Sequence, residues 1–310
     1  MSLAIVIPCF KVEKHIEVVI KSIPDSVDFI ITVDDFSPDN TSYILKSIAK
    51  KNSRLYYIRH EVNKGVGGAM ITGFNKAFEL GAEIIVKIDG DGQMNLNYLP
   101  QFIEPILSNK ADLTKGNRFK NYKALKSMPI FRRIGNLGLS FLLKAASGYW
   151  NIFDPTNGFF AISAVKLKDF DLTRIHNRYF FESSLLIEAY HNETVIVDIP
   201  IDSFYGNEVS NLSITKVFLE FPPKLLKAFF RRIILKYFLN DFNIASLFIV
   251  VGIFFGTLGS WYGISNFIYF SKINQGAPTG TVVIPTLLIT LGTQLILSAI
   301  QFDINNYPKK

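Results

Sequence analysis

The sequence predicts an α/β domain with a mostly parallel sheet, followed by an apolar helical hairpin. Three observations predict it. Short apolar or β-branched runs alternate with helix-period stretches through the first two hundred residues. The polar segments richest in Asp and Gly directly follow three of those runs, at the strand ends where ligands bind in parallel sheets. Two long stretches free of formal charge, 244–270 and 281–302, close the chain.

The first run, 3–10, reads as a buried strand. It is too short for a secretory h-region, lacks a basic leader and is followed at once by Lys11. It contains Cys9, the only cysteine, so no intrachain disulfide forms, and a reducing compartment suits the chain. Cys9 reads as a buried structural thiol rather than a nucleophile. Runs 29–33, 55–59 and 84–88 read as the next strands, with helical patterns at 41–51 and 68–80 between them.

After the second strand, Asp34 and Asp35 are placed to accept from a ribose hydroxyl or a base N–H, whereas Asp39 and Thr41 suit the start of the next helix. The third strand is followed by Asn63-Lys64-Gly65-Val66-Gly67-Gly68, whose spacing fits neither Walker A nor the dinucleotide fingerprint. Its glycines allow tight backbone approach at a helix start, which makes Asn63, Gly65 and Gly68 candidates for the nucleotide side. Asp89-Gly90-Asp91-Gly92-Gln93 follows the fourth strand. Two carboxylates separated by one small residue suit a hard cation, Mg²⁺ or Mn²⁺, which takes one or two protein carboxylates and completes its shell with phosphates and water. The same segment alone also reads as an Asp/Gly-rich turn.

In chain order, PCFKVEKHI, VDDFSPDNT, NKGVGGAMITGF, KIDGDGQ and KGNRF resemble glycosyltransferase family 2, whose members have the GT-A fold; the likeness runs through about residue 215. The Asp154–Phe159 segment and the run around Glu182 match its acceptor-side segments. The resemblance implies that Pro8, Phe10, Glu13 and Asp35 line the nucleotide pocket. It also implies that Asp89 and Asp91 hold the metal with Gln93 beside them, and that Arg118 contacts phosphate. Lys11 stands where the family usually has Asn, and Phe36 where it usually has Gly.

With the hairpin, the whole resembles the polyprenyl-phosphate glycosyltransferases of the dolichyl-phosphate mannose synthase type. This implies inverting transfer of one sugar from a UDP- or GDP-sugar to a polyprenyl phosphate. Eight basic and no acidic residues lie between Leu113 and Phe153, where two phosphorylated substrates would meet. Arg132 and Arg133 among them are candidates for a loop closing on phosphate. A lipid phosphate needs positioning more than a base, since its second pKa is about 6. A saccharide hydroxyl would need a carboxylate base, for which Asp154 and Glu182 are the candidates. A membrane-tethered transferase acting on a saccharide or lipid-linked sugar is therefore the alternative, and an inactive scaffold or anionic-lipid module the remote one.

The net charge of +7 admits nucleic acid, anionic lipid or a phosphorylated substrate as partner; the basic clusters sit beside the apolar end, which disfavours nucleic acid. Each apolar stretch exceeds the roughly 20 residues needed to span a bilayer. Gly252, Gly256, Gly259 and Gly263 would let the two helices approach closely. The 224–238 segment interleaves basic and bulky apolar residues and suits a helix along the membrane surface, with Pro222 and Pro223 as a break before it. The expected organisation is a catalytic domain over 1–221, a juxtamembrane segment over 222–243 and a hairpin over 244–310. Basic residues flank the hairpin outside its loop, so both termini and the catalytic domain are expected on the cytoplasmic side. A homo-oligomer is also expected.

Overall fold

The computed structural model describes residues 2–118, 130–202 and 214–309, with side chains from 138 and from 220 onward in the last two stretches. In order the elements are β1 (Leu3–Cys9), α1 (Ile16–Lys21), β2 (Phe29–Asp34), α2 (Thr41–Ala49), β3 (Leu55–Arg59), α3 (Val66–Glu79) and β4 (Ile84–Lys87). There follow α4 (Leu99–Leu107), β5 (Leu113–Asn117), α5 (Ile130–Ser147), β6 (Phe160–Ser163), α6 (Ala164–Lys168), α7 (Phe181–His191) and β7 (Ile196–Pro200). Last come α8 (Ile214–Ile234), α9 (Ile244–Lys272) and α10 (Thr279–Asn305).

The sheet order is β3-β2-β1-β4-β6-β5-β7. All neighbouring pairs are parallel except those of β6, which runs antiparallel to β4 and to β5. Alternation along the strands separates two cores. Ala4 and Val6 of β1 face Met70, Phe74 and Ala77 of α3 and Leu185 and Leu186 of α7. Leu3, Ile5 and Ile7 face Ile16 and Ile20 of α1, Leu45 of α2 and Phe102 of α4. Strand order reverses between β1 and β4, which opens a crevice at their carboxyl ends. Residues 9–13 and 88–93 sit at those ends.

Two compact units result, Met1–Ala228 with Pro308–Lys310, and Phe229–Tyr307; the boundary falls inside α8. The break expected at Pro222-Pro223 is absent, because α8 runs through both prolines. Neither proline has an N–H, so α8 continues across the pair with two fewer backbone donors. In the second unit α9 and α10 are both long and apolar enough to cross a membrane. A Cβ on Gly252 would meet Ile296 Cγ1 at 2.9 Å, one on Gly259 would meet Leu288 Cβ at 2.9 Å and one on Gly263 would meet Pro285 Cβ at 3.1 Å. A Cβ on Gly256 would meet nothing; its backbone instead faces Gly292.

The cations of the juxtamembrane segment do not all face outward as expected. Arg232 is 1% exposed and grips Asp303 with both terminal nitrogens, at 2.7 and 2.8 Å. Lys236 donates to the Asn306 carbonyl at 2.8 Å. The expectation failed because the acidic partner lies at the far end of α10, just past the uncharged stretch.

Candidate active site

The crevice is built from short loops tied to one another. Asp34 is fully buried at the end of β2, where its Oδ1 accepts from Ser37 N–H at 2.9 Å. Asp35 Oδ1 accepts from Lys64 N–H and Oδ2 from Gly65 N–H, both at 2.7 Å, while His60 Nδ1 lies 2.8 Å from Oδ1. Asn63 Nδ2 donates to the Asp35 carbonyl at 3.1 Å. Glu13 Oε2 accepts from Asn40 N–H at 2.9 Å, and Asp39 Oδ1 from Thr41 N–H at 3.2 Å. Asp34, Asp35 and Glu13, expected to meet a nucleotide, are thus engaged in tying these loops together.

Pro8 is half-buried there, and Phe10 and Phe36 are exposed. Lys11 and Phe36 have φ of 58° and 59°. These are the two positions where the chain departs from the family pattern, and Asn and Gly are the residues that enter left-handed backbone most easily. Here a lysine and a phenylalanine, which enter that region less readily, hold it instead. Arg59 lies over the Phe36 ring, 5.7 Å from its centroid.

The glycine loop takes a different role from the one its composition suggests. Gly67 and Gly68 N–H groups both donate to the Asn177 carbonyl, at 2.7 and 3.1 Å. A Cβ on Gly67 would overlap the His176 carbonyl, and one on Gly65 would lie 2.8 Å from Arg178 Cγ. The Gly65 N–H is taken by Asp35 Oδ2 and the Gly68 N–H by the Asn177 carbonyl, so neither amide is turned to a phosphate here. The donors at the start of α3 are satisfied by the chain itself, and the glycines let the 176–178 segment approach.

Asp89 and Asp91 flank Gly90 just beyond β4. Asp91 Oδ1 accepts from Gln93 N–H at 3.0 Å, and Gly92 has a φ of 76° that closes the turn. A Cβ on Gly158 would overlap Lys87 Nζ and lie 2.8 Å from Asp89 Oδ2, so the Asp154–Phe159 segment presses on the carboxylate with its side-chain-free residue. Among the described residues no cluster of three or more His, Cys, Asp or Glu could hold a metal. The donor set itself, two carboxylates one glycine apart in a turn, still fits Mg²⁺ or Mn²⁺, which draws its other ligands from substrate and water.

Behind the pair lies a buried polar network. Lys87, 1% exposed, sits 2.7 Å from Asp89 Oδ1 and 3.4 Å from Glu182 Oε1. Burial alone would lower its pKa, but the two carboxylates outweigh that and hold it above the ordinary value. Asp154, fully buried, takes Arg118 Nε at 2.7 Å on Oδ2 and a terminal nitrogen at 3.1 Å on Oδ1. Glu182, a candidate base from the sequence, is thus paired with Lys87. Arg132 and Arg133 lie on α5, and their side chains fall outside the described residues. Burial raises the Cys9 thiol well above its ordinary pKa, which suits an inert core residue.

The sequence offered no signal for Lys87 or Asp198, and marked Lys115 only as one of the eight basic residues between Leu113 and Phe153. Asp198 on β7 accepts from Phe153 N–H and Asn117 Nδ2, both at 3.0 Å, and burial raises its pKa. Its Oδ1 has no partner among the described residues. Lys115 on β5 donates to the Asn157 carbonyl, and burial lowers its pKa from 10.5 to about 8. The unfolded chain therefore binds more protons than the folded one between about pH 8 and 10.5. Stability should rise with pH across that window and owe nothing further to this group below it. In Lys115→Met the rise, on the order of 3 kcal/mol, disappears. Urea midpoints at pH 7.5 and 9.5 for the two proteins capture about 2 kcal/mol of it.

The glycosyl transferase family 2 model matches residues 4–170. UDP-N-acetylglucosamine–dolichyl-phosphate N-acetylglucosaminyltransferase from Methanococcus voltae is 37% identical over 245 residues, covering 75% of this chain and 95% of that protein. Undecaprenyl-phosphate mannosyltransferase from Micrococcus luteus is 26% identical over 204 residues, covering 65% and 81%. Glucosyl-3-phosphoglycerate synthase from Mycobacterium tuberculosis, crystallised with Mn²⁺, UDP and glucosyl-3-phosphoglycerate, shares the fold. That likeness has a TM-score of 0.54 at 19% identity, over 74% of this chain and 79% of that one.

Proposed function

The chain belongs to glycosyl transferase family 2, and we propose that it moves one sugar from a nucleotide donor to a polyprenyl phosphate at the cytoplasmic face of a membrane. The state of the two candidate bases carries this reading. Asp154 is wholly engaged by Arg118, and Glu182 is ion-paired with the buried Lys87. A hydroxyl acceptor needs a free carboxylate to take its proton, whereas a phosphate monoester arrives anionic. The Methanococcus voltae relative, named for a dolichyl-phosphate acceptor, adds support and makes UDP-N-acetylglucosamine the first donor to try.

Asp89 and Asp91 would hold the divalent cation, which when bound offsets charge on the departing nucleoside diphosphate. Asp154 orients Arg118, the residue that the family resemblance sets against phosphate. Phe10 and Phe36 flank the nucleoside, and Asp35 holds the loop beneath it. The acceptor attacks the anomeric carbon opposite the leaving group, with inversion. The hairpin α9 and α10 crosses the bilayer, keeping the reaction at the surface where the lipid headgroup lies. The basic residues before α9 and the single Lys272 near its loop end support cytoplasmic termini.

Asp198 favours a second reading. A carboxylate with raised pKa, and with one buried oxygen that has no partner among the described residues, suits deprotonation of a saccharide hydroxyl that reaches it. Purified protein in detergent, given Mn²⁺ or Mg²⁺, a panel of labelled UDP- and GDP-sugars and either dolichyl or undecaprenyl phosphate, tests both. Labelled lipid from a single donor is expected. Metal-dependent donor hydrolysis without lipid product, together with transfer to a saccharide that Asp198→Asn abolishes, would replace the first reading by the second.

A further inference from the structure

Lysine at the end of a central strand is costly to bury, and it persists only where its charge is matched. Lys87 closes β4 at 1% exposure, with Asp89 Oδ1 at 2.7 Å and Glu182 Oε1 at 3.4 Å. Its two partners belong to different halves of the site. Asp89 lies in the donor loop, whereas Glu182 is in the first turn of α7, which follows the 176–178 segment packed on the glycine loop. Gly158 closes over both Nζ and Asp89 Oδ2, which leaves the ammonium little room except along the line between the two carboxylates.

We infer that Lys87 is a positioning residue that couples cation binding at Asp89 to α7: its ammonium occupies Asp89 in the cation-free protein and has Glu182 as a second partner when that carboxylate is claimed. The inference rests on Asp89 and Asp91 being the cation ligands. A divalent cation approaching Asp89 meets a fixed positive charge already hydrogen-bonded there. Ejecting an ammonium into an apolar interior would make that competition unfavourable, and Glu182 removes the obstacle by accepting it. The unequal distances fit this order, with the ammonium nearer Asp89. Loading the donor loop then strengthens the Lys87–Glu182 pair and steadies the start of α7 beside the acceptor-side segment.

The two partners should move cation affinity in opposite directions, which a packing role would not do. Mn²⁺ binding to the full-length protein in detergent, alone and with UDP, is read from loss of the free-ion paramagnetic resonance signal. In Lys87→Met the competitor is gone, and Mn²⁺ should bind roughly tenfold tighter. Transfer in the same variant should fall about a hundredfold, because Glu182 loses its anchor. Lys87→Arg keeps the charge and should bind Mn²⁺ within about threefold of wild type. Glu182→Gln leaves Lys87 on Asp89 and should weaken Mn²⁺ binding severalfold. Wild type that binds no Mn²⁺ under either condition would sink the metal reading and this inference with it. Wild type that binds, beside a Lys87→Met protein that binds equally or more weakly, would overturn the inference alone. Should Lys87→Met fail to fold, the Glu182→Gln arm decides, and unchanged or tighter Mn²⁺ binding there would overturn it.

Discussion

Asp91→Ala lowers sugar transfer by roughly 10²- to 10³-fold, the scale expected when one contributor to transition-state charge stabilisation is removed. Asp91 is half-buried, and its Oδ1 accepts from Gln93 N–H at 3.0 Å. Ala removes both the charge and this turn bond, so Asp91→Asn is the informative companion. Asn keeps an acceptor for Gln93 N–H while discarding the charge. Both variants should lose transfer alike and melt within about a degree of wild type, since substitutions outside the core shift stability by about 0.5 kcal/mol or less. Raising Mn²⁺ or Mg²⁺ should recover part of the Asn variant's rate, as Asp89 still offers a carboxylate. If Asp91→Asn transfers at more than a tenth of the wild-type rate, the carboxylate pair is only a turn. The chemistry must then be sought elsewhere in the crevice.

What the sequence made legible follows from the range of the interactions that fix each feature. Strands β1 to β4 are marked by local apolar runs, and their bounds differ from the expected ones by a residue or so at single ends. The turn at Asp89–Gln93 was legible because the residues that shape it are five in a row. The hairpin was legible because a span without charge has few other uses. Strand β6 was not anticipated: Phe160–Ser163 is four residues long, and its place between β4 and β5 depends on antiparallel pairings made across the chain. The pairing of Lys87 with Glu182 is hidden for the same reason, since only the sheet order brings the end of β4 to the start of α7.

The glycine loop shows how composition can mislead. Gly65, Gly67 and Gly68 permit close approach, but composition does not say what approaches. The Asn177 carbonyl does so, and only the folded chain reveals it. Lys11 and Phe36 show the converse. Nothing in their side chains announces left-handed backbone, yet both adopt it. They present an exposed ammonium and an exposed aromatic ring where the family usually has smaller side chains. Donor choice in this chain is therefore expected to differ from that of relatives with the usual residues.

Arg232→Met destabilises the second unit by about 3–5 kcal/mol, the usual cost of leaving one member of a buried ion pair uncompensated. Arg232 and Asp303 are 1% and 5% exposed at their side chains and form a bidentate pair at 2.7 and 2.8 Å. Tyr237 adds its hydroxyl to Asp303 Oδ1 at 2.6 Å, within a π-helical turn over Leu235–Asn240. Lys236 is the nearest substitute cation, at 3.8 Å from Asp303 Oδ1, and part of its charge is exposed, so it compensates only in part. Arg232→Met with Asp303→Leu removes both charges and should recover most of the loss, but it strands the Tyr237 hydroxyl, which costs about 1–3 kcal/mol when buried without a partner. Adding Tyr237→Phe removes that last polar group, and the triple variant should match or exceed wild type. Denaturation in detergent, followed by tryptophan fluorescence from Trp261 of α9, measures the series. The order expected is wild type close to the triple variant, then the double, then either single. A single variant as stable as wild type would mean that the pair contributes nothing, and the segment would be free to lie along the membrane surface as its sequence alone suggests.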